Sequence, residues 1–593
     1  MNRKLFLFLA LIAISQTLFS QRKTETANGR ILTNTAVDSI VTKLMDTAGV
    51  TGLSVGIVNN NSVNYIKSYG YKNKTTKQFN DTATNFYAAS LSKLVFAFIV
   101  MQLVDKGVVN LDTPLYKYLP KPLPEYENYK DLAGDERWKL ITARECLNHT
   151  TGFPNWRQLN PNGTQKLQIF FTPGTRYAYS GEGIYLLQLV VETVTHQKLE
   201  DLAQQQIFKP FGMTKTGFVW QKSFDIDYAV GHDANEDTLT LTKRNEANAA
   251  GSMETTIADY TRFISYLMQC KEISNQSKQE MLSPQIKIFS KQQFPSLNND
   301  TTNDNKEIQL SYGLGCGLFK CMHGWAFFKE GHSEDGWQHY MIGFPDKKDA
   351  LVIMTNSLNG ESIFKELVED LSGVTIPWKW EGYKPYQPTV KVPEKILTQY
   401  VGVYEGRTKA IISLSNGQLK VEAPTEGLAK TNLYSTDNSH FFMKSMPVNI
   451  EFINQGNGKT VKMLVDAEGE KYELNRVNDT VSKKSLEENL KTEIKPSKKN
   501  LSAYVGKYEL TGNSKKTIVI GLKDDYLVAQ LLGQDNVELI FSTDTTFKFK
   551  SVIDIKGEFI MDKLQNSSLT KMESMNGIKC NDKGTNAQQM YPM

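Results

Sequence analysis

Ser90-Leu91-Ser92-Lys93 runs directly into Leu94-Val95-Phe96-Ala97-Phe98-Ile99-Val100, and the environment of this stretch sets the fold around it. An unbroken apolar run leaves no polar face, so a helix here is buried on all sides rather than laid on a surface. The helix is predicted to start at Ser90 and to end near Asp105-Lys106-Gly107, with glycine as the cap. Asn85-Phe86-Tyr87-Ala88-Ala89 reads as an extended approach to it. Residues three apart share a helix face, so the Ser90 hydroxyl and the Lys93 amine can touch. Free backbone N–H groups at a helix start favour negative charge at Ser90. Burial disfavours the charged form of Lys93 and turns it into a base. A nucleophile beside a base is the minimum kit for acyl transfer. Ser20, Ser362 and Ser568 also have a lysine three positions on, but none opens a buried helix with partner residues elsewhere in the chain. The plainer reading of Ser90 and Lys93 is an N-cap with a snorkelling lysine.

A chain of 593 residues is too long for one core and implies three or four folding units. Asn2-Arg3-Lys4, the apolar Leu5 to Ile14 and the small Ser20 read as a secretory signal peptide over residues 1–20, too short for a permanent anchor. The expected location is therefore periplasmic or secreted. No later apolar stretch is long enough to cross a membrane, so no membrane anchor is expected. With 68 Lys and Arg against 64 Asp and Glu, the net charge of +4 gathers into no basic stripe, which excludes nucleic acid as a partner. Five cysteines in an exported chain of this size make no disulfide framework, and Cys316 and Cys321 flank an extended strand that holds their side chains apart. The seven histidines show no paired metal spacing, and Cys316, Cys321 and His323 lack a fourth partner, so no metal and no other cofactor is expected.

Residues 52–58 and 62–71 alternate as two strands joined by Asn59-Asn60-Asn61. A long, mostly helical middle follows, and strand patterns return at 312–317, 326–328, 339–343 and 350–354. Early and late strands around a helical insert imply one sheet built from both ends of an α/β unit and covered by helices. Its expected extent is 21–376. The polar insert 287–306 reads as a mobile loop from its Asn and Asp content. Residues 377–394, rich in proline, aromatics and lysine, read as a linker. Beyond it, Leu397, Tyr400-Val401-Gly402 and Tyr404-Glu405 recur as Leu501, Tyr504-Val505-Gly506 and Tyr508-Glu509. Two small antiparallel, barrel-like β domains are expected, at 395–477 and 499–593, separated by a charged linker at 478–498.

Pro173-Gly174-Thr175-Arg176-Tyr177-Ala178-Tyr179-Ser180-Gly181 is a turn ahead of a helix expected near Ile184. With Ile141-Thr142-Ala143-Arg144, Leu147-Asn148-His149-Thr150-Thr151-Gly152-Phe153-Pro154, Ala250-Gly251-Ser252-Met253, Tyr312-Gly313-Leu314-Gly315 and Gly331-His332, the chain resembles the serine β-lactamase and DD-peptidase superfamily. The likeness is to its class C branch and the esterase and D-aminopeptidase relatives. The motifs stand in the family's order over roughly residues 35–375.

The resemblance implies an antiparallel sheet with covering helices and a helical subdomain. It matches Ser90 to the acylated nucleophile, Lys93 to the lysine of its proton network and Tyr179 to the tyrosine of Y-x-N. His332 is matched to the first position of the third motif, K-T-G or H-x-G. The implied oxyanion hole pairs the Ser90 N–H with one after His332, at Asp335. His149 is assigned to structure, while Trp156 and Trp337 either wall the cleft or pack in the core. Two departures stand out: Gly181 replaces the asparagine of Y-x-N, and Glu334 replaces the glycine of the third motif. The implied activity is hydrolysis of small-molecule or peptide esters or amides, including D-amino-acid peptides of the cell wall, through an acyl-serine. The alternatives are a class C-type β-lactamase or penicillin-binding DD-peptidase, and a non-catalytic binding or sensor protein that retains the fold.

Overall fold

The structure is a computed structural model that describes residues 23–26, 28–383 and 387–477, apart from 427, 445, 455–459 and 468–469, and most of 501–573. The expected signal segment and the charged linker 478–498 lie outside the described residues. The chain divides into two compact units, 1–386 and 387–593.

The first unit is built from helix α1 (Asn34–Ala48), strands β1 (Gly52–Asn59) and β2 (Ser62–Asn73), helices α2 (Ser92–Asp105), α3 (Gly181–Thr195) and α4 (Ile257–Met268), strands β3 (Gly317–Cys321), β4 (Gly324–Ser333), β5 (Trp337–Phe344) and β6 (Asp349–Thr355), and helix α5 (Phe364–Ser372). The β1–β2 turn places Asn60 and Asn61 at φ +49° and +60°, the paired left-handed conformation that suits the twist of a tight hairpin. The sheet runs Gln78–Phe79, β2, β1, β6, β5, β4, β3, Ser311–Tyr312, Ile286–Lys287, antiparallel throughout. Its two halves meet where β1 pairs with β6, from Leu53 opposite Thr355 to Val58 opposite Ala350. One sheet from both ends of the segment is what the alternating patterns predicted.

Alternation gives the sheet two apolar faces. Phe327, Met341, Val352 and Met354 join the core around α2 and α4, while Phe328, Tyr340, Ile342, Leu351 and Ile353 meet α1 and α5 on the other side. Every residue of α2 from Ser92 to Leu103 is buried, as its uninterrupted apolar run requires. The helix ends at Asp105, and Gly107 takes φ +68° just beyond it.

Two stretches differ from expectation. The predicted strand 312–317 is two pieces around a turn in which Gly315 has φ +88°, and a Cβ there would stand 2.4 Å from Ala97 Cβ of α2. The start of the proline-rich linker belongs to the first unit. Trp378–Glu381 is a short helix, Trp380 is buried against Phe328 and Tyr177, and Glu381 accepts a 2.7 Å hydrogen bond from the Tyr340 hydroxyl. Those aromatics, read from composition as spacer, are core.

The second unit holds an antiparallel nine-stranded sheet between Gly402–Gly406 and Glu470–Arg476. Its two edge strands, Leu428–Asn432 and Tyr434–Ser435, are separated in sequence only by Leu433, so the sheet is a nearly closed barrel. The repeated tyrosines fill it: Tyr400 stacks on Phe452 with ring centroids 4.3 Å apart, and the Tyr404 hydroxyl donates to Tyr400 O at 2.8 Å. A seven-stranded antiparallel meander spans Gly506–Leu510 to Ser567–Glu573, and Tyr504 at its start stacks on Phe541.

Candidate active site

The buried helix does not begin at Ser90. Ala89–Leu91 form a tight 3₁₀ turn, and α2 starts at Ser92. Ala89 sits at φ +46°, a left-handed conformation that costs a non-glycine residue about 1–2 kcal/mol. Such a turn lifts Ser90 off the regular helix, and Ser90 keeps partial exposure while Ala89 and Leu91 are buried. Ser92 fastens the turn, donating to Ala89 O at 2.6 Å and accepting from the Met253 N–H at 3.1 Å. Lys93 is fully buried. Its Nζ lies 2.9 Å from Ser90 Oγ and donates to Ala250 O at 2.6 Å. Burial, reinforced by the nearby Lys329 ammonium, holds the Lys93 pKa well below that of an ordinary lysine.

Tyr179 stands immediately before α3. The helix starts at Gly181, three residues earlier than expected, because Ser180 caps it, accepting from the Gly183 N–H at 3.0 Å and donating to Pro154 O at 2.9 Å. His149 Nδ1 accepts the Ser180 N–H at 3.2 Å, and its ring lies against that of Tyr179 with centroids 4.2 Å apart. Burial and the Lys329 ammonium hold the His149 pKa well below that of an ordinary histidine, and its ring backs the tyrosine as packing. The Tyr179 hydroxyl accepts from Lys329 Nζ at 3.1 Å, and the Ser90 side chain is near enough to work against the rise in the tyrosine's pKa. Burial raises its pKa, and Lys329 offsets only part of that rise.

Lys329 is the functional side chain that sequence reasoning missed. It is fully buried on β4 and pairs with Glu330 Oε1 at 2.9 Å, an oxygen that also accepts from Gln293 Nε2 at 2.6 Å. Burial pulls Lys329 toward neutrality, but Glu330 and Tyr179 more than compensate and it stays charged. Two residues on, a Cβ at Gly331 would lie 2.8 Å from Ala88 O, so only glycine lets β4 pass this close to the Ser90 turn. Pairing with β3 stops at Phe328, so among the described residues 329–333 of β4 form a sheet edge open toward that turn.

His332 is not brought to Ser90. Strand alternation turns it to the opposite face from Lys329 and Gly331, where Nδ1 lies 2.8 Å from Glu361 Oε1 and Nε2 3.1 Å from Glu334 Oε1. Burial works against its charge, yet the two carboxylates push its pKa up to about 11. Glu334 therefore holds His332 instead of crowding the cleft. Asp335 lies in the β4–β5 turn with Oδ2 3.1 Å from Arg244 Nη2. Three residues before the expected position, Lys329-Glu330-Gly331 is the stretch of β4 that meets Tyr179 and the Ser90 turn. The available signal was parity: Phe327, Lys329 and Gly331 share the face of β4 that points at the buried helix.

The Beta-lactamase family profile matches residues 37–370. The chain belongs to this family. Penicillin-binding protein 4* of Bacillus subtilis is 24% identical over 427 residues, covering 65% of this chain and 87% of that protein. Protein flp of Staphylococcus aureus strain MRSA252 is 25% identical over 220 residues, 35% of this chain and 42% of its own length. Among solved structures, D-alanine carboxypeptidase AmpC from Burkholderia cenocepacia aligns with a TM-score of 0.44 at 20% identity, covering 54% of this chain and 93% of that one.

Within the beta-lactamase-family unit, the departure at Gly181 has a steric cause. A Cβ at Gly181 would lie 2.3, 2.5 and 2.9 Å from three ring carbons of Trp156, so the indole occupies the space a side chain at 181 would need. Lys93 Nζ is 5.7 Å from the Trp156 ring. Of the two tryptophans, Trp156 lines the site, whereas Trp337 is buried in the core, edge-on to Phe86 at 5.7 Å. The insert 287–306 is pinned rather than loose. Gln293 N–H donates to Trp380 O at 2.8 Å, Arg176 Nη2 donates to Asn298 O at 3.2 Å, and Phe294 packs edge-on to Tyr179 at 5.4 Å. No helix among the described residues is long and apolar enough to cross a membrane.

Proposed function

We propose that the protein is an exported serine hydrolase that acts on esters or amides of small acyl groups, including D-amino-acid peptides, through an acyl-Ser90 intermediate. The carrying observation is the buried Lys93 amine 2.9 Å from Ser90 Oγ, in surroundings that keep it neutral. Neutral Lys93 takes the hydroxyl proton as Ser90 Oγ bonds to the substrate carbonyl carbon. The carbonyl electron pair moves to oxygen, which the Ser90 N–H and an N–H of the open β4 edge hold as an oxyanion. When the pair returns, the bond to the leaving group breaks, and the Tyr179 phenol, protonated because burial raises its pKa, donates the proton that the departing oxygen or nitrogen needs. The Lys93 ammonium then returns its proton to the Tyr179 phenolate, restoring both groups for the second half of the reaction. Water then repeats the sequence in reverse, releasing the acid and restoring Ser90. Lys329 keeps a positive charge beside Tyr179 throughout. The segment 1–20 supports export to the periplasm or beyond.

The 87% coverage of a protein named as penicillin-binding favours a second reading, a DD-peptidase or β-lactamase. Purified protein is to be assayed with an aryl acetate, a D-alanyl-D-alanine peptide, a fluorescent penicillin and a chromogenic cephalosporin, each also with Ser90→Ala. The first reading expects Ser90-dependent turnover of the ester or peptide and slow or no turnover of the cephalosporin. Rapid cephalosporin hydrolysis or stable penicillin labelling at Ser90 supports the second. Hydrolysis that survives Ser90→Ala at the wild-type rate overturns both.

A further inference from the structure

The space beside Lys93 is taken by an aromatic ring where the Y-x-N pattern would place an amide. Gly181 cannot carry a side chain while Trp156 is present, since its Cβ would meet three indole carbons within 2.9 Å. Trp156 is only half-buried, and its other side packs on Tyr185 with centroids 5.5 Å apart. Phe294, at 43% relative exposure, packs edge-on to Tyr179 with ring centroids 5.4 Å apart. Large apolar side chains left open beside a nucleophile mark a binding surface. The indole edge that fills the space beside Gly181, Cζ3, Cη2 and Cε3, is carbon only, and the Phe294 ring carries no polar atom.

We propose that Trp156 is the specificity-determining residue of the Ser90 site. Its indole, in the room Gly181 leaves, receives the acyl half of the substrate on an apolar surface with Phe294 as the opposite flank, selecting flat or chain-like hydrocarbon acyl groups over α-acylamino acyl groups. A buried apolar contact distinguishes acyl chains by about 10- to 200-fold, whereas an acylamino group placed against indole loses the hydrogen bonds it made to water. This inference rests on the acyl-Ser90 reading above and narrows its substrates to esters and amides whose acyl half carries no α-acylamino group, which disfavours the D-alanyl-D-alanine peptides.

The test uses the full chain with three p-nitrophenyl esters: acetyl, phenylacetyl and N-acetylglycyl. Wild type is expected to prefer phenylacetyl to N-acetylglycyl by about 50-fold in kcat/KM. Trp156→Ala should lower phenylacetyl turnover about 100-fold, mainly through KM, and acetyl turnover about 5-fold. Trp156→Ala/Gly181→Asn should invert the preference toward N-acetylglycyl. Equal losses on all three esters, or a wild type indifferent to the acyl group, overturn the proposal while leaving the acyl-Ser90 reading intact. Absence of any Ser90-dependent turnover overturns both. Thermal unfolding of each variant separates loss of fold, and Trp156→Phe, expected to retain the phenylacetyl preference, keeps the result readable if Trp156→Ala unfolds.

Discussion

Replacing Lys93 with methionine is expected to reduce kcat/KM about 10³- to 10⁴-fold on any substrate the protein turns over, with the fold retained. The amine lies 2.9 Å from Ser90 Oγ, burial and Lys329 favour its neutral form, and without it the hydroxyl proton loses that acceptor. Methionine fills similar volume in a fully buried position, so cavity formation does not explain the loss. The pH profile carries the sign of the argument. Burial and Lys329 depress the Lys93 pKa, so the wild-type rate rises with pH as the ammonium loses its proton, at a pH well below that of an ordinary lysine. It falls again at alkaline pH as Tyr179 loses the proton destined for the leaving group. Lys93→Met should abolish the acid limb and leave the alkaline one. Lys93→Arg should be as inactive as Lys93→Met, because a guanidinium supplies no neutral form. A Lys93→Met enzyme that keeps its acid limb and more than a tenth of its rate would assign the base elsewhere.

Lys329→Met carries the second large effect, this time on stability. Removing the ammonium leaves the Glu330 carboxylate buried without its counter-charge, held by Gln293, and breaking a buried pair from one side costs about 3–5 kcal/mol. The loss should grow with pH. Unpaired Glu330 would have a folded-state pKa above its unfolded value, so the variant is most stable where that carboxyl is protonated and loses stability as pH rises through the folded pKa. Lys329→Met/Glu330→Leu removes both charges and should recover most of the stability, as measured by urea unfolding at pH 5 and pH 8. It should recover little activity, since Tyr179 still lacks the charge beside it. Full recovery of both would reduce Lys329 to a counter-ion for Glu330.

Much of the first unit was legible in the sequence because burial writes itself into periodicity. A helix buried on every side needs an apolar run like 94–100, and the paired central strands β1 and β6, buried on both faces, need short apolar runs. Ser90, Lys93 and Tyr179 were legible as motif residues, and the structure puts Lys93 Nζ 2.9 Å from Ser90 Oγ and 5.0 Å from the Tyr179 ring centroid. The third motif was not, because Lys329-Glu330-Gly331 and His332-Ser333-Glu334 each begin with a cationic side chain. Only the side of β4 that faces α2 separates them, and a three-residue offset reverses that side. The match of Gly181 with Trp156 is a contact between residues 25 positions apart, invisible to any local pattern. The aromatics of 377–383 have linker composition, and only tertiary packing makes them core. The Ala89 turn is likewise set by its surroundings, since Ser92 and the 250–253 segment hold it, and alanine has no left-handed preference of its own.

The most direct test of the account is intact-protein mass spectrometry after treatment with an alkyl fluorophosphonate at neutral pH, followed by peptide mapping. The account predicts one covalent phosphonyl group per chain, located on Ser90, absent in Ser90→Ala and formed about 10³-fold more slowly in Lys93→Met. Equal labelling of wild type and Ser90→Ala, or a label on another residue, would contradict it.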